Sequence, residues 1–204
     1  KLTLRGLRFD WGIQKQLLKV GGPAAINGME RTVAQLVLLG IVAPFGDFAV
    51  AAFTLTRRVE MFAHMGSQGL GLASGIIAGQ SLGAGKLERA KQTVLWAVGF
   101  VTVINAVLAL AVFLFPVAFL SFFNRDAEFL EVARTWLLIQ AAGYLAIGVG
   151  QVASQTFQTT GDTFAVMLVT LGTMWVIEIP LAIVLAHTFG LGGVGVAWAM
   201  VVTM

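Results

Sequence analysis

The stretch GQSLGAGKLERA, residues 79–90, ends a long apolar segment, turns at glycines and opens a charged segment. A glycine turn with charges at the end of an apolar run is typical of the point where a chain leaves a membrane. Glycines also recur at steps of four just before and within this stretch: Gly71, Gly75, Gly79 and Gly83. On a helix they form one stripe without side chains, which lets a neighbouring backbone approach closely. We therefore predict a bundle of helices packed in lipid.

The composition predicts a membrane protein of the all-α class. The 204 residues are 58% hydrophobic and 11% charged, and their mean hydropathy is +0.88. A soluble domain carries about 25% charged residues. A spanning helix needs about 20 apolar residues, so six spans would use nearly the whole chain. We expect a single polytopic membrane domain over residues 1–204 and no separate soluble domain.

Apolar length and turn residues predict the positions of the spans. Residues 1–19 are expected to form a basic linker, and residues 20–204 a six-helix lobe. The sixth segment stops at Met204, too soon to cross a bilayer, so we expect the lobe to be incomplete and the chain to be a piece of a longer protein. The predicted spans cover residues 20–44, 49–82, 92–116, 132–158, 164–188 and from 193 onward.

The distribution of charge predicts the orientation. Lysine and arginine concentrate in residues 1–19 and 86–91, which lie on one side of the bilayer, whereas residues 125–131 carry three acids and one arginine on the other. Cytoplasmic loops are enriched in basic residues, so we expect the N-terminal end to be cytoplasmic, in a plasma or inner membrane. Because the bases lie at membrane edges and no nucleic-acid motif is present, we expect no nucleic-acid partner.

The first span carries ionisable residues near the middle of the bilayer. Glu30 and Arg31 lie about 16 Å along a helix from Lys19, where a charge is costly and usually functional. Asn27 and Gln35 lie on the same helix face. Either Glu30 and Arg31 form a local structural pair, or they belong to an ion or substrate path. We treat Glu30 and Arg31 as candidates for ion coupling, and Asn27 and Gln35 as candidates for a substrate cavity.

Glu178 is a third candidate for ion coupling. It lies about fourteen residues into its predicted span, and that helix offers it no basic partner. A carboxyl group in such a place must find a partner on another helix or take up a proton, because burial disfavours the charged form. Pro180, two residues later, predicts a kink that can free backbone carbonyls. The sequence leaves a proton carrier and a structural acid as open alternatives.

Polar residues form stripes on two further spans. These stripes serve as contacts between helices or line a substrate path. On the second span, Arg57 and Arg58 are expected near the outer boundary of the membrane, where their long side chains reach water and anchor the helix. The stripes are Gln140, Tyr144, Gly148, Gln151, Gln155 and Gln158 on the fourth span, and Thr56, Glu60, His64 and Gln68 on the second. From them we take His64, Gln68, Tyr144, Gln151 and Gln155 as further candidates for the substrate cavity.

Enzyme motifs are absent from the sequence. There is no HExxH, no phosphate-binding GxxxxGK[ST] and no serine elbow. The chain has no cysteine, and its two histidines, His64 and His187, are far apart. We therefore expect no catalytic residues, no metal centre and no enzymatic activity.

Several motifs together resemble one family of transporters. Residues 79–90 resemble the GQxLGAGxxERA signature of the multidrug and toxic compound extrusion (MATE) family. Gly22-Pro23-Ala24-Ala25, Arg58-Val59-Glu60, Gly161-Asp162-Thr163 and Ile179-Pro180-Leu181-Ala182 follow in the order of that family. The resemblance covers nearly the whole chain, and the basic leader before Gly22 is similar to the linker that precedes the C-terminal six-helix half.

The resemblance implies a secondary transporter that exports organic, often cationic, compounds in exchange for protons or sodium ions. It also implies a second six-helix half as partner and no cofactor besides the coupling ion. Sodium-coupled members commonly carry an acid in the first helix of this half, which Glu30 matches, or Arg31 if the register shifts by one. They also carry an acid in the fourth helix, which is missing here between Arg134 and Gly161. The alternatives are a related flippase for lipid-linked glycans and a membrane scaffold that transports nothing.

Overall fold

The chain is helical throughout the residues that the computed structural model describes, which are 10–123 and 126–204. This confirms the predicted all-α class. The helices are α1 (Trp11–Val42), α2 (Asp47–Gly83), α3 (Leu87–Leu114), α4 (Pro116–Ser121), α5 (Ala127–Thr159), α6 (Thr163–Leu171), α7 (Ile179–Ile183) and α8 (Gly193–Thr203). A short 3-10 turn covers Ala43–Phe45, and two π-helical segments, Gly172–Glu178 and Val184–Thr188, flank α7.

The first helix starts earlier than predicted. The Asp10 side chain accepts hydrogen bonds from the backbone N–H groups of Gly12 and Ile13 and so caps α1. Residues 11–19, predicted as part of the basic linker, therefore form the opening turns of α1. The remainder of the predicted linker, residues 1–9, lies outside the described residues.

The turns predicted at glycines form as expected. Gly85 has a φ of +70° and Gly161 a φ of +96°, conformations that suit a residue without a Cβ atom. The carboxylate of Asp162 accepts a hydrogen bond of 3.2 Å from the Ala165 N–H, which confirms its predicted role as the cap of the next helix.

The glycine stripe brings α2 and α5 into backbone contact. A Cβ atom added to Gly71 would lie 3.3 Å from the Cα of Val152, and one added to Gly75 would lie 3.2 Å from the Cα of Thr156. The stripe fades toward the turn, because Gly83 meets nothing within 4 Å. The predicted close packing is thus confirmed for Gly71 and Gly75.

The outside of the bundle is apolar. Among the described residues, four helical stretches are long and apolar enough to cross a membrane: Trp11–Phe45, Leu87–Leu114, Ala127–Thr159 and Thr163–Thr188. Along α3, Leu95, Trp96 and Val103 are more than 60% exposed, as expected for a surface that contacts lipid. α2 has 37 residues, but Arg57, Arg58 and Glu60 interrupt its apolar sequence.

The fifth predicted span is one continuous helical rod with two π-helical stretches. Pro180 lies at the start of α7, directly after the first π segment. Proline lacks a backbone N–H and its ring crowds the preceding turn, and a π turn is a wider coil that accommodates such a disruption. Glu178 is the last residue of that π segment, and it is 5% exposed.

Candidate functional site

A cavity of about 730 Å³ opens inside the lobe, between α1, α2, α5, the rod of α6 and its π segment, and α8. Its lining includes several charged and polar side chains as well as apolar ones. The charged or titratable residues in its lining are Arg31, Arg57, Arg58, Glu60, His64 and Glu178. We call this space the charged cavity.

Arg57 holds the centre of the charged cavity. Its Nη1 atom donates to both carboxylate oxygens of Glu60, at 2.9 and 3.1 Å. Its Nη2 atom lies 3.9 Å from Oε1 of Glu178. The guanidinium also lies over the ring of Phe53, 5.6 Å from the ring centre, in a cation–π contact. One arginine therefore joins a carboxylate of its own helix to one on the π segment.

Arg57 is not the boundary anchor that the sequence suggested. α2 begins at Asp47, so Arg57 lies about 15 Å along the helix from that end. That distance is half the thickness of a hydrocarbon core of about 30 Å. Its side chain is 19% exposed and points into the cavity. The anchoring interpretation is therefore wrong for Arg57. Arg58 is exposed and contributes to the cavity lining, and its anchoring role stays a prediction.

Glu178 has found the partner that its own helix could not supply. The sequence predicted a partner on another helix or a bound proton, and the nearby guanidinium of Arg57 confirms the first. Glu60 has a second neighbour as well, because Nε2 of His64 lies 3.2 Å from its Oε1. The side chains of Glu60 and Glu178 are only 5% and 7% exposed, and an unpaired charge is costly in such a place.

Glu30 forms a separate polar group on α1, outside the lining of the charged cavity. It is 6% exposed and lies beside Trp175 of the π segment without reaching hydrogen-bond geometry. Within the described part of the chain, neither of its carboxylate oxygens nor Oδ1 of Asn27 accepts a hydrogen bond. These three buried oxygens, one helical turn apart, are the type of ligand that a hard cation prefers.

The cavity gathers about half of the candidate residues. Arg31, Gln35, His64, Gln151 and Glu178 line it. Asn27, Glu30, Gln68, Tyr144 and Gln155 do not appear in the lining.

The candidates that do not line the cavity have other surroundings. Gln68 is exposed, and the stem of Gln155 packs on Gly71. Tyr144 is fully buried, and its backbone carbonyl accepts a hydrogen bond of 2.9 Å from Nδ2 of Asn105. These positions leave Gln155 and Tyr144 in the contacts between helices.

A buried cross-link of three helices was not predicted. Nδ2 of Asn105, on α3, donates to Oγ of Ser67 on α2 at 3.2 Å and to the Tyr144 carbonyl on α5. Asn105 is fully buried. The sequence does contain a signal for it, because Asn105 is an isolated amide in the middle of the apolar span 92–116.

The comparison with known families decides the identity. The family model described as MatE matches residues 23–184, most of the chain. The chain belongs to the MatE family. This confirms the resemblance that residues 79–90 indicated.

Relatives and solved structures agree with that assignment. The MatE chain is 30% identical over 187 residues to the probable multidrug resistance protein YoeA of Bacillus subtilis, covering 92% of this chain and 40% of that protein. It is 24% identical to a FAD transporter of Shewanella oneidensis, covering 92% of this chain and 41% of that protein. A crystal structure of MATE in the straight conformation shares its fold with a TM-score of 0.83 at 21% identity, over 96% of this chain and 45% of that one. The MatE chain thus spans about 40% of the length of the curated relatives it matches.

Proposed function

We propose that this MatE chain is one lobe of a secondary transporter that exports organic compounds in exchange for protons or sodium ions. The protein would lie in the plasma or inner membrane with the N-terminal end of the lobe in the cytoplasm. It would transport its substrates without converting them chemically, and it would need no cofactor besides the coupling ion. The single observation that carries the proposal is the position of Arg57 between two buried carboxylates, Glu60 and Glu178, in an open cavity.

The coupling follows from a count of charges. When both carboxylates are ionised, one guanidinium leaves a net charge of −1 in this cluster, and burial makes that charge unfavourable. A proton or a cation that enters removes it. Because Arg57 lies 2.9 Å from Glu60 but 3.9 Å from Glu178, neutralising Glu178 weakens the longer contact. The π segment is then free to move relative to α2, and movement of helices around a fixed site is how such transporters alternate access.

Glu30 supplies a second position for the coupling ion. Its buried oxygens and Oδ1 of Asn27 accept no hydrogen bond of normal geometry from the described residues, although the Trp175 indole lies beside Glu30, and such oxygens suit a sodium ion as well as a proton. Trp175 places this group next to the π segment that ends in Glu178. We propose that ion capture at either acid acts on the same moving segment.

Removing the acids tests the function. In the complete transporter, reconstituted in proteoliposomes, Glu178→Gln and Glu60→Gln are each expected to reduce ethidium export driven by a proton or sodium gradient at least about tenfold, because the amide cannot take up the ion. Glu30→Gln is expected to abolish the response to one of the two gradients. The matched control is Glu88→Gln, since Glu88 is an exposed acid paired with Lys91 at 3.0 Å. The proposal would be refuted if gradient-driven export survived in Glu178→Gln, Glu60→Gln and Glu30→Gln alike.

The second lobe is the proposed partner of this chain. The substrate cavity of such a transporter lies between two repeats, and this chain spans about 40% of its relatives. Proteoliposomes that contain residues 1–204 alone are therefore expected to show no gradient-driven ethidium transport, and adding the other lobe is expected to restore it. Transport by residues 1–204 alone would contradict this division of labour.

A further inference from the structure

Two arginines in the charged cavity lack an acidic partner. Arg57 is engaged by two glutamates, but neither Arg31 nor Arg58 makes an ion pair within 4.0 Å to any residue of the described ranges 10–123 and 126–204. Nε of Arg31 is enclosed and without a hydrogen-bond acceptor. A buried donor of this kind carries a desolvation cost until an acceptor arrives.

The cavity lining has an excess of positive charge. Its described part contains three arginines and two glutamates, so with His64 neutral the lining carries one net positive charge. Glu30 and Glu178 lie within electrostatic range of Arg31, but neither contacts it. The positive excess therefore lies with Arg31, on α1 and half-buried, and Arg58, on α2 and exposed, which both line the same cavity.

We propose that Arg31 and Arg58 form a subsite for the phosphate or carboxylate group of an organic substrate. A guanidinium presents a planar fork of N–H donors that matches these anions with paired hydrogen bonds. This inference rests on the proposed function and deepens it, because it assigns the anionic group of a substrate to two named residues of the cavity. For a compound that also carries a cationic group, Glu60 and Glu178 supply carboxylates in the same cavity.

The rest of the lining suits the apolar body of such a substrate. Met61, Met174 and Met200 line the cavity together with Phe53 and Leu36. Methionine side chains are flexible and polarizable, so they adapt to ring systems of different shape. The site therefore selects for a charged group at one end and tolerates variety at the other.

Three probes test the subsite. They share the naphthyl ring system and carry a negative, a neutral or a positive group. Equilibrium dialysis measures binding of 1-naphthyl phosphate, 1-naphthol and (1-naphthylmethyl)trimethylammonium to the complete transporter in nanodiscs of phosphatidylcholine. The phosphate is expected to bind at least about tenfold more tightly than the neutral 1-naphthol, which corresponds to one charge-assisted contact. Equal affinity of phosphate and alcohol would overturn the proposal.

Variants assign the effect to the two arginines. Arg58→Gln and Arg31→Gln are each expected to weaken binding of 1-naphthyl phosphate about tenfold and to leave 1-naphthol unchanged. Arg58→Lys is expected to retain part of the affinity, because it keeps the charge but loses the paired geometry. Arg89→Gln, at an exposed arginine outside the cavity, is the matched control. Unaltered melting temperatures show that the variants fold, and unchanged phosphate binding in both glutamine variants would refute the subsite.

A lipid headgroup is the rival source of the same phosphate chemistry. The experiment is repeated in nanodiscs that contain phosphatidylglycerol. If this lipid displaces 1-naphthyl phosphate and copurifies with the wild-type protein but not with Arg58→Gln, the occupant is a lipid and the proposed soluble substrate is overturned. Phosphate binding that persists in these nanodiscs supports the proposal.

The binding test of the anion subsite and the export test of the proposed function can fail independently. Binding is measured at equilibrium without a gradient, so loss of coupling in the glutamate variants does not affect it. Gradient-driven ethidium export together with no preference for 1-naphthyl phosphate would remove the anion subsite and leave export standing.

Discussion

Two glycines of α2 and four glycines of α1 have opposite surroundings. Gly71 and Gly75, on α2, lie against the backbone of α5. On α1, four glycines meet nothing within 4 Å beyond their own helix: Gly21, Gly22, Gly28 and Gly40. The same residue type thus makes one interface tight and leaves the other helix loosely surrounded.

Hydrogen bonds between helices also distinguish the packed side, although buried polar atoms without a described partner occur in both regions, among them Oδ1 of Asn105 and the hydroxyl of Tyr144. At the packed side, Asn105 donates to both Ser67 and the Tyr144 carbonyl. On α1, the carboxylate oxygens of Glu30 and Oδ1 of Asn27 accept no hydrogen bond from the described residues. A frame of α2, α3 and α5, joined by close backbone packing and by the Asn105 amide, therefore carries a more loosely packed side of α1 and the π segment, and the charged cavity lies between them.

Disrupting the packed interface is expected to have the largest effect. Gly75→Leu would force a side chain into the Gln155 carbonyl and the Cα of Thr156, which lie 3.1 and 3.2 Å from an added Cβ. We expect a loss of about 3 kcal/mol or more in the free energy of unfolding, because overpacking against backbone cannot be relieved by a rotamer change. Thermal melting of the complete transporter in detergent measures it.

The matched control lies in the loose region. Gly28→Leu meets open space and replaces glycine in a helix, so its stability is expected to stay unchanged or to rise by up to about 1 kcal/mol. Equal losses at both positions would remove the distinction between the frame and the loosely packed side.

Removing the buried cross-link is expected to have an intermediate effect. Asn105→Ala deletes the hydrogen bonds of 3.2 and 2.9 Å to α2 and α5, and we expect a loss of about 1–2 kcal/mol. The control is Thr93→Ala in the same helix, since its hydroxyl donates only within its own helix, to the carbonyl of Arg89. A chemical or thermal melt in which Asn105→Ala matches this control would show that the three helices do not depend on the amide.

The smallest effect on stability is expected at Pro180. A proline inside an α-helix costs about 3 kcal/mol, but the π segment that precedes Pro180 already widens the coil. We therefore expect Pro180→Ala to raise the free energy of unfolding by less than about 1 kcal/mol, as measured by melting temperature. Pro116→Ala, at the first position of α4, where proline is favourable, should bring no gain. A rise near the full proline cost for Pro180→Ala would mean that the π segment relieves no strain.

The sequence predicted the frame better than the cavity. The spacing of Gly71 and Gly75 and the cap at Asp162 are local patterns, and each depends on helix geometry alone. The helix ends near Gly83 and Thr159 were placed within one residue, because glycine turns mark them. The early start of α1 at Trp11 was missed, since the amphipathic residues 11–19 carry no apolar span of their own.

The cavity could not be predicted because it depends on pairs between helices. The spacing along α2 predicts that Arg57 lies beside Glu60. It does not predict that the guanidinium also faces Glu178, which lies more than a hundred residues later in the chain. The lack of a basic neighbour near Glu178 did predict that its partner lies elsewhere. It could not predict which of several arginines would be that partner, and this choice leaves Arg31 and Arg58 available.

The hydroxyl of Thr163 donates to the carbonyl of Val20 at 3.0 Å, joining α1 to α6 across 143 positions of the chain. α1 precedes α6 in the chain, so this bond can form only after residue 163 has been synthesised. Trp175 follows later still, and until then Glu30 has no neighbour from the π segment. Within the described helices, α1 thus completes its docking only after helices that follow it in the chain have been made, and factors that hold α1 during membrane insertion would act in that interval.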